Sequence, residues 1–124
     1  MCAREGIGQI VYSPLAQGVL TGKYAAGQPL PADSRAADPR QNMFMNGGKL
    51  DEALLAKVEE LRPLAAAEGL SMAQLALAWI LRLKDVSSVI IGASRPSQVE
   101  DNAGASGVAL SAGTLEAIDK LFPA

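Results

Sequence analysis

The pattern of apolar and polar positions divides the chain into elements before any single residue is considered. Gln9-Ile10-Val11-Tyr12 is short and β-branched, which predicts a buried strand. Ser13-Pro14 stops it, because a proline cannot donate to a strand ladder. Before it, Arg4-Glu5-Gly6-Ile7-Gly8 predicts a helix end running into a turn, with glycine available for a left-handed cap. Residues 15–49 have no apolar period and are rich in Gly, Pro, Asn and Ala. They predict a long loop with one short helical turn near residues 18–24. A loop beyond ~12–15 residues in a compact domain is usually functional or disordered.

Helical periodicity then takes over. Leu54, Leu55, Val58 and Leu61 form one stripe, which predicts a helix over residues 50–68 with a kink at Pro63, where a backbone donor is lost. Gly69 ends it. Ser71-Met72-Ala73-Gln74 has the spacing of a capping box. Met72, Leu75, Ala76, Trp79, Ile80 and Leu83 recur behind it on one face, the clearest helix in the chain, and Trp79 reads as core. After a turn at residues 85–87, Ser88-Val89-Ile90-Ile91 predicts a second buried strand ending at Gly92. Pro96 suits the first turn of a helix running to about residue 105, and Ser111 suits the cap of a last helix over residues 114–122. Asp51, Glu52, Glu59 and Glu60 read as a solvated helix face.

A strand, a helical crossover and another apolar strand indicate a parallel α/β sheet. Two strands are too few, however. Both edges stay open, and the apolar helix faces outnumber the sheet surface that could cover them. Open edges of this kind also make self-association plausible.

Composition narrows the chemistry more than the fold. The 124 residues are 49% hydrophobic but only 4% aromatic, so the apolar content is Ala, Leu, Val and Ile. Eleven basic and thirteen acidic residues give a net charge of −2, with no electrostatic reason to expect nucleic acid or an anionic membrane as a partner. There is no histidine, which excludes a His-based triad, a His general acid and most zinc sites within this chain. Cys2 is the single cysteine, so an internal disulfide is impossible and a cytoplasmic setting is expected. The first eight residues carry Arg4 and Glu5 and no apolar core of a signal peptide, and no run approaches the ~20 apolar residues of a membrane span. No carboxylate pair or metal-ligand cluster stands out.

Two segments carry a family resemblance. Residues 12–24, Tyr-Ser-Pro-Leu-Ala-Gln-Gly-Val-Leu-Thr-Gly-Lys-Tyr, resemble the segment at the seventh strand of aldo-keto reductases. Residues 91–102, Ile-Gly-Ala-Ser-Arg-Pro-Ser-Gln-Val-Glu-Asp-Asn, resemble the segment at their eighth strand, and residues 71–79 between them match too. The similarity spans nearly the whole chain and is nearest the bacterial branch related to potassium-channel beta subunits. It implies the C-terminal portion of a (β/α)₈ TIM barrel over residues 1–124, from the end of the sixth helix through the seventh and eighth βα units. About two parallel strands with four or five helices are then expected, with ligands at the C-terminal ends of the strands.

The resemblance further implies an NADP(H) site. Tyr12 would stack on the nicotinamide, although a rim aromatic that merely packs fits the same position. Ser13, Pro14, Leu15 and Gly18 would approach the pyrophosphate. Lys23 has the spacing to reach a phosphate, as any solvated lysine near it would, and Arg35 falls where relatives place a cofactor-contacting arginine, in a loosely matched stretch. That stretch resembles a cover folding over the dinucleotide, hinged by its Gly and Pro residues. Gly92, Ser94 and Arg95 open a helix whose N-terminus would bind the 2′-phosphate, favouring NADP over NAD. Gln98, Asp101 and Asn102 would serve the adenosine end. The family's catalytic Asp, Tyr, Lys and His would lie outside these positions, so no catalytic residue and no metal ligand is assigned. Three functions follow. One is the cofactor-binding part of a reductase for aldehydes or ketones, with the small carbonyl substrate bound only in the complete barrel. Another is a non-catalytic nucleotide-binding or regulatory module. The third is a truncated reading frame without independent function, an expectation prompted by Met1 falling inside what resembles a helix tail.

Overall fold

Strands β1 (Gln9–Tyr12) and β2 (Val86–Ile90) pair in parallel, with Ile10 opposite Ser88, Val11 opposite Val89 and Tyr12 opposite Ile90. The computed structural model describes residues 1–48 and 50–123; Lys49, where the predicted loop ends, lies outside the described residues, as does Ala124. Between the strands run two 3-10 helices, Ala16–Thr21 and Asn42–Gly48, and helices α1 (Glu52–Glu59), α2 (Leu61–Ala67) and α3 (Met72–Leu81). Helices α4 (Pro96–Ala103) and α5 (Ala112–Leu121) follow β2. Among the described residues two parallel strands with five α-helices thus form a partial α/β barrel, the class expected from the sequence.

The strands themselves are not buried as their composition predicts. Ile10 is 67% exposed, Tyr12 81% and Ile90 60%, whereas Val11 and Val89 are half-buried. The two-residue period of a strand puts Ile10, Tyr12 and Ile90 on one face. Helix α3 packs against β2, and that face is left open. β2 also begins two residues earlier than the apolar run. The Gln9 backbone N–H donates to the Asp85 carbonyl at 2.6 Å, its side-chain amide donates to the Asp85 carboxylate at 2.6 Å, and Val86 is thereby drawn opposite Gln9.

The core lies in the helices. Leu55 and Val58 of α1, Leu61 and Ala65 of α2, Met72 and Leu75 of α3 and Ile118 of α5 form one buried cluster. The predicted single helix over residues 50–68 is two. It breaks at Glu60, because the Pro63 ring lacks an N–H and crowds the carbonyl of Glu59 four residues earlier. Proline then sits in the first turn of α2, where a missing donor leaves nothing unpaired. Asp51 does more than face solvent. Its carboxylate accepts from the N–H groups of Ala53 at 2.8 Å and Leu54 at 3.3 Å, capping α1. Leu54, counted on the stripe, is exposed.

Helix α3 starts on the predicted capping box: Gln74 N–H donates to Ser71 Oγ at 3.1 Å and Ser71 N–H to Gln74 Oε1 at 3.0 Å. Its buried set exceeds one face, since Leu77 and Ala78 are buried as well as Met72 and Leu75. Trp79 is only half-buried, packs against the cluster, and carries the Arg82 guanidinium 4.1 Å over its ring. The long segment after β1 is likewise not a free cover. Tyr24, Ala36 and Met45 belong to the core, and the Tyr24 hydroxyl accepts from Ala36 N–H at 3.3 Å, pinning the segment midway. Among the described residues no single helix is long and apolar enough to cross a membrane.

Helix α5 is tied to α2 by Glu68, whose carboxylate accepts from Ser111 N–H at 3.1 Å, Ser111 Oγ at 2.6 Å and Thr114 Oγ1 at 2.5 Å. These donors hold the Glu68 carboxyl below its ordinary value of 4.5. A depressed folded-state pKa gives stability that is present above the ordinary value and lost as pH falls through the lowered one. We therefore expect the urea midpoint to fall more steeply below pH 4.5 in the native chain than in Glu68→Gln, and parallel curves would show that this contact is not linked to folding. Truncating Leu75 to Ala should lower stability by about 2–5 kcal/mol by urea unfolding, as a cavity in a close-packed core does.

Candidate functional site

Parallel strands point their C-terminal ends the same way, and here both ends open into one cleft of about 1310 Å³. Its floor is set by Tyr12 and Ile90, one wall by the turn after β1, another by the start of α4, and the long segment around Arg35 closes the rim. Of the thirteen residues assigned from sequence, all but Pro14 line it, although they come from positions ninety residues apart. Pro14 is buried instead. It anchors the turn without facing the cleft.

That turn is backbone-strained. Ser13, Ala16 and Gln17 have positive φ values of 53°, 47° and 59°, and Gly18 follows at 97°. Residues with side chains hold the left-handed region at roughly 1–3 kcal/mol each, so the surroundings must enforce it. Gln17 is the enforcing residue that sequence reasoning missed. Its amide donates to Ser13 Oγ at 2.9 Å and its carbonyl accepts from the Arg35 guanidinium, linking the turn to the long segment. Nothing in the sequence separates Gln17 from any surface glutamine; only the fold over Arg35 does. At Gly18 a Cβ would stand 2.7 Å from Lys23 Cε, so glycine is what lets Lys23 fold back beside the turn, its ammonium 5.3 Å from the centre of the Tyr24 ring.

On the opposite wall Arg95 is the N-cap of α4 in extended conformation, with its side chain making no cap bond, and Pro96 follows at the first helical position. The donors of Ser94 are not free as sequence reasoning expects. Both its N–H, at 2.8 Å, and its hydroxyl, at 3.2 Å, donate to Gln98 Oε1, whose side chain folds back over the helix start. Gly92 has open space where a side chain would go, and Asn102 is half-buried at the cleft edge. Asp101 is already engaged, accepting from Ser71 Oγ at 2.8 Å.

The lining holds four cations, Lys23, Arg35, Arg62 and Arg95, against three acids, Asp33, Asp38 and Asp101. Arg62 is taken up by Glu59 at 2.9 Å and by the Gly22 carbonyl at 3.2 Å. The Asp38 carboxyl is lowered to about 2, first by the backbone N–H of Arg40, then by the Arg40 and Gln41 side chains. Its carboxylate is thus already satisfied by Arg40 and by its lining neighbour Gln41. Lys23, Arg35 and Arg95 remain as cations facing the cleft with no salt bridge among the described residues, in a chain whose net charge is negative. Such an arrangement suits a multiply charged anion with a flat ring near Tyr12. Among the described residues no group of His, Cys, Asp or Glu is placed to hold a metal ion.

The profile of the Aldo/keto reductase family matches residues 1–122. A probable voltage-gated potassium channel subunit beta of Oryza sativa subsp. japonica is 45% identical over 116 residues, 94% of this chain and 34% of that protein. Its counterpart of Arabidopsis thaliana is 47% identical over 98 residues, 79% of this chain and 29% of that protein. An L-glyceraldehyde 3-phosphate reductase of Escherichia coli K12 is 44% identical over 106 residues, 79% of this chain and 28% of that protein. The chain therefore spans about a third of the length of the curated relatives it matches, and it belongs to the aldo/keto reductase family.

Proposed function

We propose that these residues form the NADP(H)-gripping part of an aldo-keto reductase, corresponding to the seventh and eighth βα units of its barrel. The observation that carries this reading is the single cleft in which the turn after β1 and the N-terminus of α4 face each other with Lys23, Arg35 and Arg95 among them. When bound, the dinucleotide supplies hydride to or takes it from a small carbonyl compound. This chain's share is to hold it. Tyr12 offers an exposed ring at the floor for stacking, and Ser13, Leu15 and Gly18 offer a turn that approaches a pyrophosphate closely. Lys23 and Arg35 supply charge from the rim.

At the far wall the α4 N-terminus, carrying roughly half a positive charge, and the Arg95 fork beside it would hold the 2′-phosphate. For a phosphate to be held there, Gln98 would turn its carbonyl away from Ser94 and free the N–H and hydroxyl as donors. The Gln98 amide lies on the same helix face as Asn102 and can serve the adenine. Proton transfer to the carbonyl oxygen is assigned to no residue of this chain. A second reading, a nucleotide-binding module without catalysis, draws support from the names of the rice and Arabidopsis relatives as channel subunits.

Arg95→Ala should weaken NADPH binding by roughly ten- to a hundredfold in a fluorescence titration, the scale of a charge-assisted bidentate contact, and leave NADH binding nearly unchanged. Equal losses for both cofactors, or a native chain that binds neither, would sink the 2′-phosphate assignment. The 124-residue chain alone should also consume no NADPH across a panel of aldehydes. Turnover that disappears in Tyr12→Ala would show that the chain does more than grip.

A further inference from the structure

Helix α4 presents Ser94 and Arg95 to the cleft, yet none of its residues is buried, and Val99 is 58% exposed. Apolar burial, the usual anchor of a helix, therefore does not fix where its N-terminus points. A closed ring of hydrogen bonds with the start of α3 does. Ser71 Oγ accepts from Gln74 N–H at 3.1 Å and donates onward to Asp101 Oδ2 at 2.8 Å. Gln74 Oε1 accepts from Ser71 N–H at 3.0 Å, and its Nε2 donates onward to the Asp101 carbonyl at 2.7 Å. Capping α3 uses only one half of each side chain. The other halves both go to one residue of α4.

Gly104 makes the approach possible, because a Cβ there would stand 2.6 Å from Gln74 Nε2 and 3.1 Å from the Asp101 carbonyl. We propose that Gln74 and Ser71, through Asp101 and Gly104, are positioning residues that set α4 and thereby the specificity of the cleft for a ribose 2′-phosphate. The inference rests on the cofactor reading above. It also gives Asp101 a task beyond its expected contact with adenosine, since its Oδ2 and its backbone carbonyl both bond to the start of α3.

Gln74→Glu separates the two halves of the device. The carboxylate still accepts from Ser71 N–H and keeps the cap, but it has no proton to donate and sets an oxygen against the Asp101 carbonyl. In the full chain, NADPH and NADH titrations of Gln74→Glu should show NADPH Kd raised about three- to tenfold, the range of one side-chain hydrogen bond, with NADH Kd changed less than about twofold. Gly104→Ala, which pushes the Gln74 amide aside, should shift the preference the same way. Far-UV circular dichroism should show α3 helicity kept in Gln74→Glu. If Arg95→Ala removes the preference for NADPH while both α3–α4 variants retain it, or lose both cofactors equally, the positioning role is overturned. If Arg95→Ala leaves the preference intact, the phosphate site itself is overturned, and the positioning role falls with it.

Discussion

Helix α3 is the constraint on which the other elements depend. Its ten residues include one hydrogen-bonding amide, Gln74, and otherwise almost only apolar side chains. A helix that is apolar all round is stable only when surrounded. Here Met72 and Leu75 enter the cluster formed with α1, α2 and α5, while Leu77 and Ala78 are buried on other sides. The same helix packs on β2, on α4 and on the 3-10 helix after β1. Each wall of the cleft is thus referred to one rigid rod, and the single polar side chain of that rod is spent on locating α4.

The opposite wall is built on different principles. Four consecutive or near-consecutive residues hold positive φ, which the local sequence does not favour except at Gly18. What over-determines the turn is anchoring on either side. Pro14 is buried just before it, Val19 enters the core just after it, and the long segment returns to bond it through Arg35 and Gln17. Strain sustained in this way persists only because the surrounding structure over-determines it.

Much of the fold was legible because its signals are local. The capping box at Ser71, the Ser111 cap and the strand at Gln9–Tyr12 all rest on residues a few positions apart, and the parallel crossover follows from the order of strands and helices. The break at Glu60 was displaced from the expected kink because a proline acts on the carbonyl four residues behind it. Strand burial was misjudged for a non-local reason, since β-branched residues predict a pleated surface and not how many faces are covered. In the cleft, residue types were legible but partners were not. Gln17 with Arg35, Gln98 over Ser94, and Ser71 with Asp101 are pairings made by tertiary geometry or by rotamer choice, and no spacing rule announces them.

Placing the core in the helices rather than on the sheet resolves an apparent contradiction in the chain. A sheet of two strands with Ile10, Tyr12 and Ile90 bare on one face would be a poor nucleus for folding. No strand residue belongs to the main buried cluster, and α3 backs the sheet through β2. This frees the strand ends to be selected for what they present. The exposed Tyr12 ring and the open space at Gly92 lose no core energy by facing outward, and they sit where two strand termini, a strained turn and a helix N-terminus converge. Apolar surface on the bare face is the liability that accompanies this arrangement, and it lies on the side from which a flat aromatic ligand would reach Tyr12.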